Sequence, residues 1–117
     1  MVAVAEFGII DNIEEIIDGR ISYDPIKYGC VSIDDDIYID EWWDKLVLMK
    51  TYFHSLERLE FALARWGITL IPPESLPIFY NIVITDKRIN DDDNLVALAN
   101  KIKEAMDKDK FMIHYGV

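Results

Sequence analysis

Residues 67–83, GITLIPPESLPIFYNIV, contain the pattern that decides the fold. The run ITLI at 68–71 is rich in β-branched residues and predicts a short strand. Pro72 and Pro73 end that strand, and Pro73 suits the first turn of a new helix. The apolar residues of this helix recur at helical spacing and share one face: Leu76, Phe79, Tyr80 and Val83. A strand followed by an amphipathic helix predicts a sheet with helices packed on it.

The residues after this unit predict a second helix followed by a second strand. A polar loop at 86–94 is followed by a predicted helix over 94–107 with one apolar face. That face carries Leu95, Leu98, Ile102 and Met106. The chain then closes with FMIHYGV at 111–117, which reads as a final strand.

The residues before it predict two more strands and further helices. Residues 2–9 and 29–33 are short β-rich runs bounded by turn residues, and the segment 12–18 between them fits a short helix or a turn. A longer helix is predicted from an N-cap at Asp40 through Phe53, with an apolar face formed by Trp42, Leu46, Met49 and Phe53. The leucines of 55–66 fit another helix that ends at Gly67.

These elements predict an α+β or α/β fold with one sheet of about four strands, at 2–9, 29–33, 67–71 and 111–115. A chain of 117 residues, 51% of them hydrophobic, fits a single domain over 1–117 with a substantial core. The single cysteine, Cys30, favours a reducing compartment. The apolar start of the chain lacks the basic region of a signal peptide, and no run approaches the length of a membrane span. We therefore expect a cytoplasmic protein without membrane contact.

The most distinctive local feature is DDDIYIDEWWD at 34–44, in which six of eleven residues are acidic. Residues 1–50 carry 12 acidic and 4 basic side chains, so most of the formal charge of −10 lies there. Such a surface suits a basic protein and repels bare nucleic acid. We expect the partner-binding residues to be Asp35, Asp36, Asp40, Glu41, Trp43 and Asp44. Their carboxylates are expected to be solvent-exposed, because burying an unpaired carboxylate is costly.

Four other features are candidate chemical sites. Asp34–Asp36 follows a predicted strand and could bind Mg²⁺, but the sequence shows no second set of ligands. His54 and Glu57 have helical i, i+3 spacing, and His114 lies in the final strand, where an outward orientation is the simplest expectation. Cys30 has no visible activating neighbour. We therefore predict no catalytic residue, no metal site and no cofactor.

Three segments bear on origin: TYFHS at 51–55, GITLIPPESL at 67–76 and KFMIHYGV at 110–117. Together they resemble stretches of small bacterial proteins of unknown function, over residues 51–117. The resemblance implies a bacterial origin and no particular activity.

Three classes of function remain open. The leading one is a small acidic binding module that docks a basic protein, as bacterial immunity proteins and nuclease inhibitors do. The second is a structural or regulatory homo-oligomer with an apolar interface near Trp43. The third is a small hydrolase-type enzyme that uses His54 or the Asp34–Asp36 cluster.

Overall fold

The computed structural model describes residues 3–16 and 24–116, without the side chains of residues 15 and 16. In this part of the chain, six strands form one antiparallel sheet. The strands are β1 (Val4–Ile9), β2 (Val31–Asp34), β3 (Lys50–Phe53), β4 (Leu59–Phe61), β5 (Gly67–Ile71) and β6 (Met112–Gly116). Their order across the sheet is β2-β1-β6-β5-β3-β4. The predicted α+β class is confirmed, with two more strands than expected.

Three α-helices pack on the sheet: α1 (Asp40–Leu46), α2 (Leu76–Ile84) and α3 (Asp93–Asp107). A short 3-10 turn at Pro73–Ser75 leads into α2, as its prolines predict. A second 3-10 turn, Ile13–Ile16, occupies part of the predicted 12–18 helix, whose last residues lie outside the described part of the chain. No helix among the described residues is long and apolar enough to cross a membrane.

The main core lies between the helices and one face of the sheet. From β1 the side chains of Ala5, Phe7 and Ile9 enter this core, as the period-two alternation of a strand requires. They meet the apolar face of α3 and the buried side chains of α2, including Leu76, Phe79 and Val83. The opposite face of the sheet carries a smaller cluster built on Ile10, Leu70, Ile113 and Tyr115.

The helical prediction for residues 47–66 is wrong. Helix α1 ends at Leu46, and the chain then forms the hairpin of β3 and β4. Thr51, Tyr52 and Phe53 are β-branched or aromatic and favour a strand. The backbone at His54 and Ala62 has φ values of 66° and 64°, a left-handed conformation that a helix through these residues would not contain. Tertiary packing therefore overrides the helical spacing of the leucines in this segment.

Candidate functional site

The acidic stretch forms a tight turn that leads into α1. Asp34 caps a π-helical turn at Asp35–Ile39, its Oδ1 accepting a hydrogen bond of 3.0 Å from the Ile37 amide. The predicted N-cap at Asp40 is therefore wrong, because the helical turns begin earlier and Asp40 already lies inside α1. Helical geometry directs the side chains of this stretch both inward and outward. Asp35, Tyr38, Ile39, Trp42 and Leu46 are buried, whereas Asp36, Asp40, Glu41 and Asp44 are exposed.

Arg65 gathers three residues of this stretch around one guanidinium group. Its Nη2 lies 2.6 Å from Asp35 Oδ2 and 2.7 Å from Asp40 Oδ1. The guanidinium carbon lies 5.4 Å from the ring centre of Trp43, which is a cation–π distance. Desolvation lowers the pKa of Arg65, but the hydrogen bonds to Asp35 and Asp40 outweigh it and the pKa is raised. The expectation of an exposed Asp35 is wrong, since this residue is only 6% exposed and paired.

Gly116 allows Arg65 to reach this position. A Cβ atom on Gly116 would lie 2.1 Å from the carbonyl oxygen of Arg65, which is an impossible contact. Only glycine therefore lets the loop after β4 lie against the end of β6. Local sequence patterns do not indicate this contact, because the two residues are far apart along the chain.

Arg88 organises a second cluster around α1. It binds Asp86 through two parallel hydrogen bonds, with Nε–Oδ1 at 2.9 Å and Nη2–Oδ2 at 2.7 Å. Its Nη2 also lies 2.8 Å from Glu41 Oε2, and its guanidinium lies 4.5 Å from the ring centre of Tyr38. The Trp42 indole donates a 2.8 Å hydrogen bond to Asp86 Oδ2. Hydrogen bonding to Arg88 holds the pKa of Asp86 well below its usual range.

The second cluster brings the loop at 86–93 against the acidic stretch. Asp92 caps α3 through a 2.9 Å hydrogen bond from the Asn94 amide, and its other oxygen accepts a 2.5 Å hydrogen bond from Tyr38. Burial and this hydrogen bond raise the pKa of Tyr38 to about 12. The flanking Asp91 and Asp93 are exposed.

We call the exposed acids of these two touching segments the acidic surface. Its members are Asp36, Asp40, Glu41, Asp44, Asp91 and Asp93. Asp40 and Glu41 also form internal ion pairs with the two arginines. The remaining four acids have no ion pair among the described residues. A shallow cleft of about 350 Å³ lies beside this surface, between α1 and Arg88, and its wall carries both signs of charge.

The two tryptophans differ in environment. Trp42 is 4% exposed and is fixed by its hydrogen bond to Asp86. Trp43 is half-buried beneath Arg65. Trp43 therefore supports the Arg65 cluster.

No protein-family model, no curated protein and no solved structure matches this chain.

His114 is buried in the sheet and does not alternate outward as expected. Its ring lies 4.9 Å from that of Phe7, and its Nδ1 lies 3.2 Å from Thr69 Oγ1. Thr69 Oγ1 also accepts a 2.8 Å hydrogen bond from the Ala64 amide, so the threonine links the imidazole to the segment that follows β4. Burial lowers the pKa of His114 to about 3, with the charge of Arg65 contributing. The imidazole is therefore neutral at ordinary pH and inaccessible to a substrate.

The other candidate sites are not assembled into chemical clusters. His54 and Glu57 lie in the exposed turn between β3 and β4 and not on a helix. Burial raises the pKa of the Cys30 thiol to about 12, with Glu6 contributing, so it is not a thiolate near neutral pH. Within 3–16 and 24–116, no three His, Cys, Asp or Glu residues are placed to hold a metal ion.

Proposed function

We propose that this protein is an acidic binding module that docks a basic protein through the acidic surface. The observation that supports this most directly is the contact between the two acidic segments, 34–44 and 86–93. Tyr38 and Trp42 hold Asp92 and Asp86 against the first segment, so carboxylates from distant parts of the chain share one region. Clustered negative charge raises the rate of association with a positively charged partner.

The two arginines divide the acids among the predicted partner-binding residues into three groups. Asp35 is buried and holds Arg65, so its role is to support the surface. Asp40 and Glu41 are exposed but oriented by Arg65 and Arg88. Asp36 and Asp44, joined by Asp91 and Asp93, have carboxylates that are available to the lysines and arginines of a partner. This arrangement fixes several acids in place before binding and so reduces the entropy lost on association.

The chemistry of the surface indicates the class of partner. Proteins that bind nucleic acid expose lysine and arginine side chains for the phosphates, and a fixed array of carboxylates complements them. We therefore propose an inhibitor or immunity-like role against a basic protein such as a nuclease. The one cysteine of the sequence is consistent with action in the cytoplasm.

The test compares two variants of equal charge. The first replaces Asp36, Asp44 and Asp93 by Asn. The matched control replaces Glu14 and Glu104 by Gln and Asp109 by Asn, three exposed acids outside the acidic surface. A partner is isolated from a bacterial lysate with the wild-type protein, identified, purified, and its binding kinetics are measured at two salt concentrations.

We expect the first variant to associate about tenfold more slowly and with a weaker salt dependence, because electrostatic steering acts on the on-rate. The control variant should associate at close to the wild-type rate. Equal on-rates for the two variants would show that the position of the removed carboxylates has no effect, and the proposal for this surface would be withdrawn.

A further inference from the structure

The outer edge of β4 is open in the part of the chain that the structure describes. β4 is the last strand in the sheet order, and no described strand pairs with its outer side. On its inner side, Arg58 O accepts a hydrogen bond from Phe53 N, and Ala62 N donates to Met49 O. In an antiparallel ladder, hydrogen-bonded residue pairs alternate with pairs whose backbone groups point away from the partner strand. The amide and carbonyl groups of Leu59 and Phe61 therefore point outward, away from β3.

The side chains at this edge are also exposed and partly apolar. Leu59 is 54% exposed and Phe61 is 56% exposed, although both are large and hydrophobic. Between them Glu60 points to the other face, where it lies 3.5 Å from Arg58 in a solvent-exposed ion pair. An exposed edge strand with apolar side chains is a template for pairing with another strand.

We propose that β4 pairs with β4 of a second copy of this chain, antiparallel and about a two-fold axis at Leu59. The symmetric register follows from the charges. If Leu59 faced Phe61 of the second copy, Glu60 would face Glu60 in a pair without hydrogen bonds, where side chains are closest and like charges repel. With Leu59 facing Leu59, Arg58 faces Glu60 of the second copy, and symmetry repeats this pair of opposite charges.

The same register provides hydrogen-bond partners for the outward-pointing backbone groups of Leu59 and buries the apolar side chains. Leu59 of each copy donates its amide hydrogen to the Leu59 carbonyl of the other, and Phe61 lies diagonal to Leu59 of the second copy. A register centred on Phe61 or beyond it is excluded, because it would need Ala62 in the ladder, and Ala62 leaves the strand with a φ of 64°. The resulting dimer has one sheet that continues through both copies. This edge shares no residue with the acidic surface, so the proposal does not depend on the proposed function.

The test exchanges charges across the proposed axis. Molar mass is measured by sedimentation velocity over a range of concentrations for the wild type, for R58E, for E60R and for an equimolar mixture of the two variants. The wild-type mass should rise from 13.6 kDa towards twice that value as concentration increases. R58E and E60R each place like charges opposite one another, so each should self-associate at least about tenfold more weakly.

In the mixture, every cross-strand pair between an R58E copy and an E60R copy again joins opposite charges. We therefore expect the mixture to recover a dimer at concentrations where each variant alone is monomeric. Circular dichroism of each variant checks folding, and because residues 58 and 60 are on the surface the fold should be retained. A wild type that stays monomeric up to millimolar concentration, variants that dimerise like the wild type, or a mixture that stays monomeric would each overturn the proposal.

Discussion

Asp35 and Asp36 are neighbours in the sequence and have opposite environments. Asp35 is buried and makes a 2.6 Å ion pair with Arg65, whereas Asp36 is exposed. The acidic run is visible in the sequence, but the sequence does not show which of these two carboxylates is buried. The distinction depends on Arg65, which follows β4 and is remote in sequence, and local patterns carry no information about such a contact. The same holds for Glu41 and Arg88.

Neutralising these two neighbours should have unequal effects on stability. Asp35→Asn weakens a charge-assisted hydrogen bond in a buried site, so we expect a loss of about 1.5–3 kcal/mol in the free energy of unfolding. Asp36→Asn serves as the matched control and should change it by about 0.5 kcal/mol or less. Urea unfolding of both variants measures the difference. Equal effects would mean that the Asp35–Arg65 pair contributes nothing to stability.

The pKa of Asp86 predicts how stability depends on pH. Because the folded pKa lies below that of an unfolded aspartate, about 3.9, Asp86 contributes stability that is fully present above that pH. The contribution is lost as the pH falls through the lower, folded pKa. The stability advantage of the wild type over Asp86→Asn should therefore shrink between about pH 6 and about pH 3, as measured by urea unfolding. An advantage that is constant with pH would contradict the perturbed pKa.

At the scale of secondary structure, the sequence predicts most of the strands and helices correctly. The exception is the β3–β4 hairpin, for which it predicts helix. The strands β1, β2, β5 and β6 coincide with short β-rich runs. Helix α2 follows a pair of prolines, α3 follows a polar loop, and each has one apolar face. In the β3–β4 hairpin, Met49 and Phe53 happen to have helical spacing, and no Gly or Pro marks the break. The left-handed residues His54 and Ala62 that delimit the hairpin are non-glycine, so composition gives no warning.

The left-handed residue at the C-terminal end of α3 leads to a prediction about stability. Asp109 follows the C-cap Lys108 and has a φ of 55°, a left-handed conformation that glycine adopts without strain. Asp109→Gly should raise the free energy of unfolding by about 0.5–1 kcal/mol. Asp107→Gly, inside the last helical turn, is the control and should lower it by about 1 kcal/mol. Thermal and urea unfolding measure both changes, and a destabilising Asp109→Gly would contradict the cap assignment.

At the scale of the whole molecule, the sheet pairs the first and last of the described strands. β1 and β6, the first and last strands, are neighbours, and β6 is hydrogen-bonded on both sides, to β1 and β5. The centre of the sheet therefore forms only when the whole chain has folded, and β2 and β4 lie at its edges. The pattern of strands in the sequence gives the class of fold but not this order, since strand order depends on contacts between distant residues.

This topology predicts a gradient of stability across the sheet. Amide hydrogens of Ile113 and Tyr115, which lie in a fully paired and buried strand, should exchange with solvent only when the whole protein unfolds. Inward-facing amides of β4, such as that of Glu60, are held by one neighbouring strand and should exchange much faster through local opening. Native-state hydrogen exchange followed by NMR measures both sets in one dilute sample, where pairing between copies is minimal. Adding low concentrations of denaturant should accelerate the β6 amides in parallel with global unfolding and leave the β4 amides nearly unchanged. Uniform protection of β6 and β4 would mean that the sheet opens as a single unit, contrary to an order in which β6 is central and β4 is an edge.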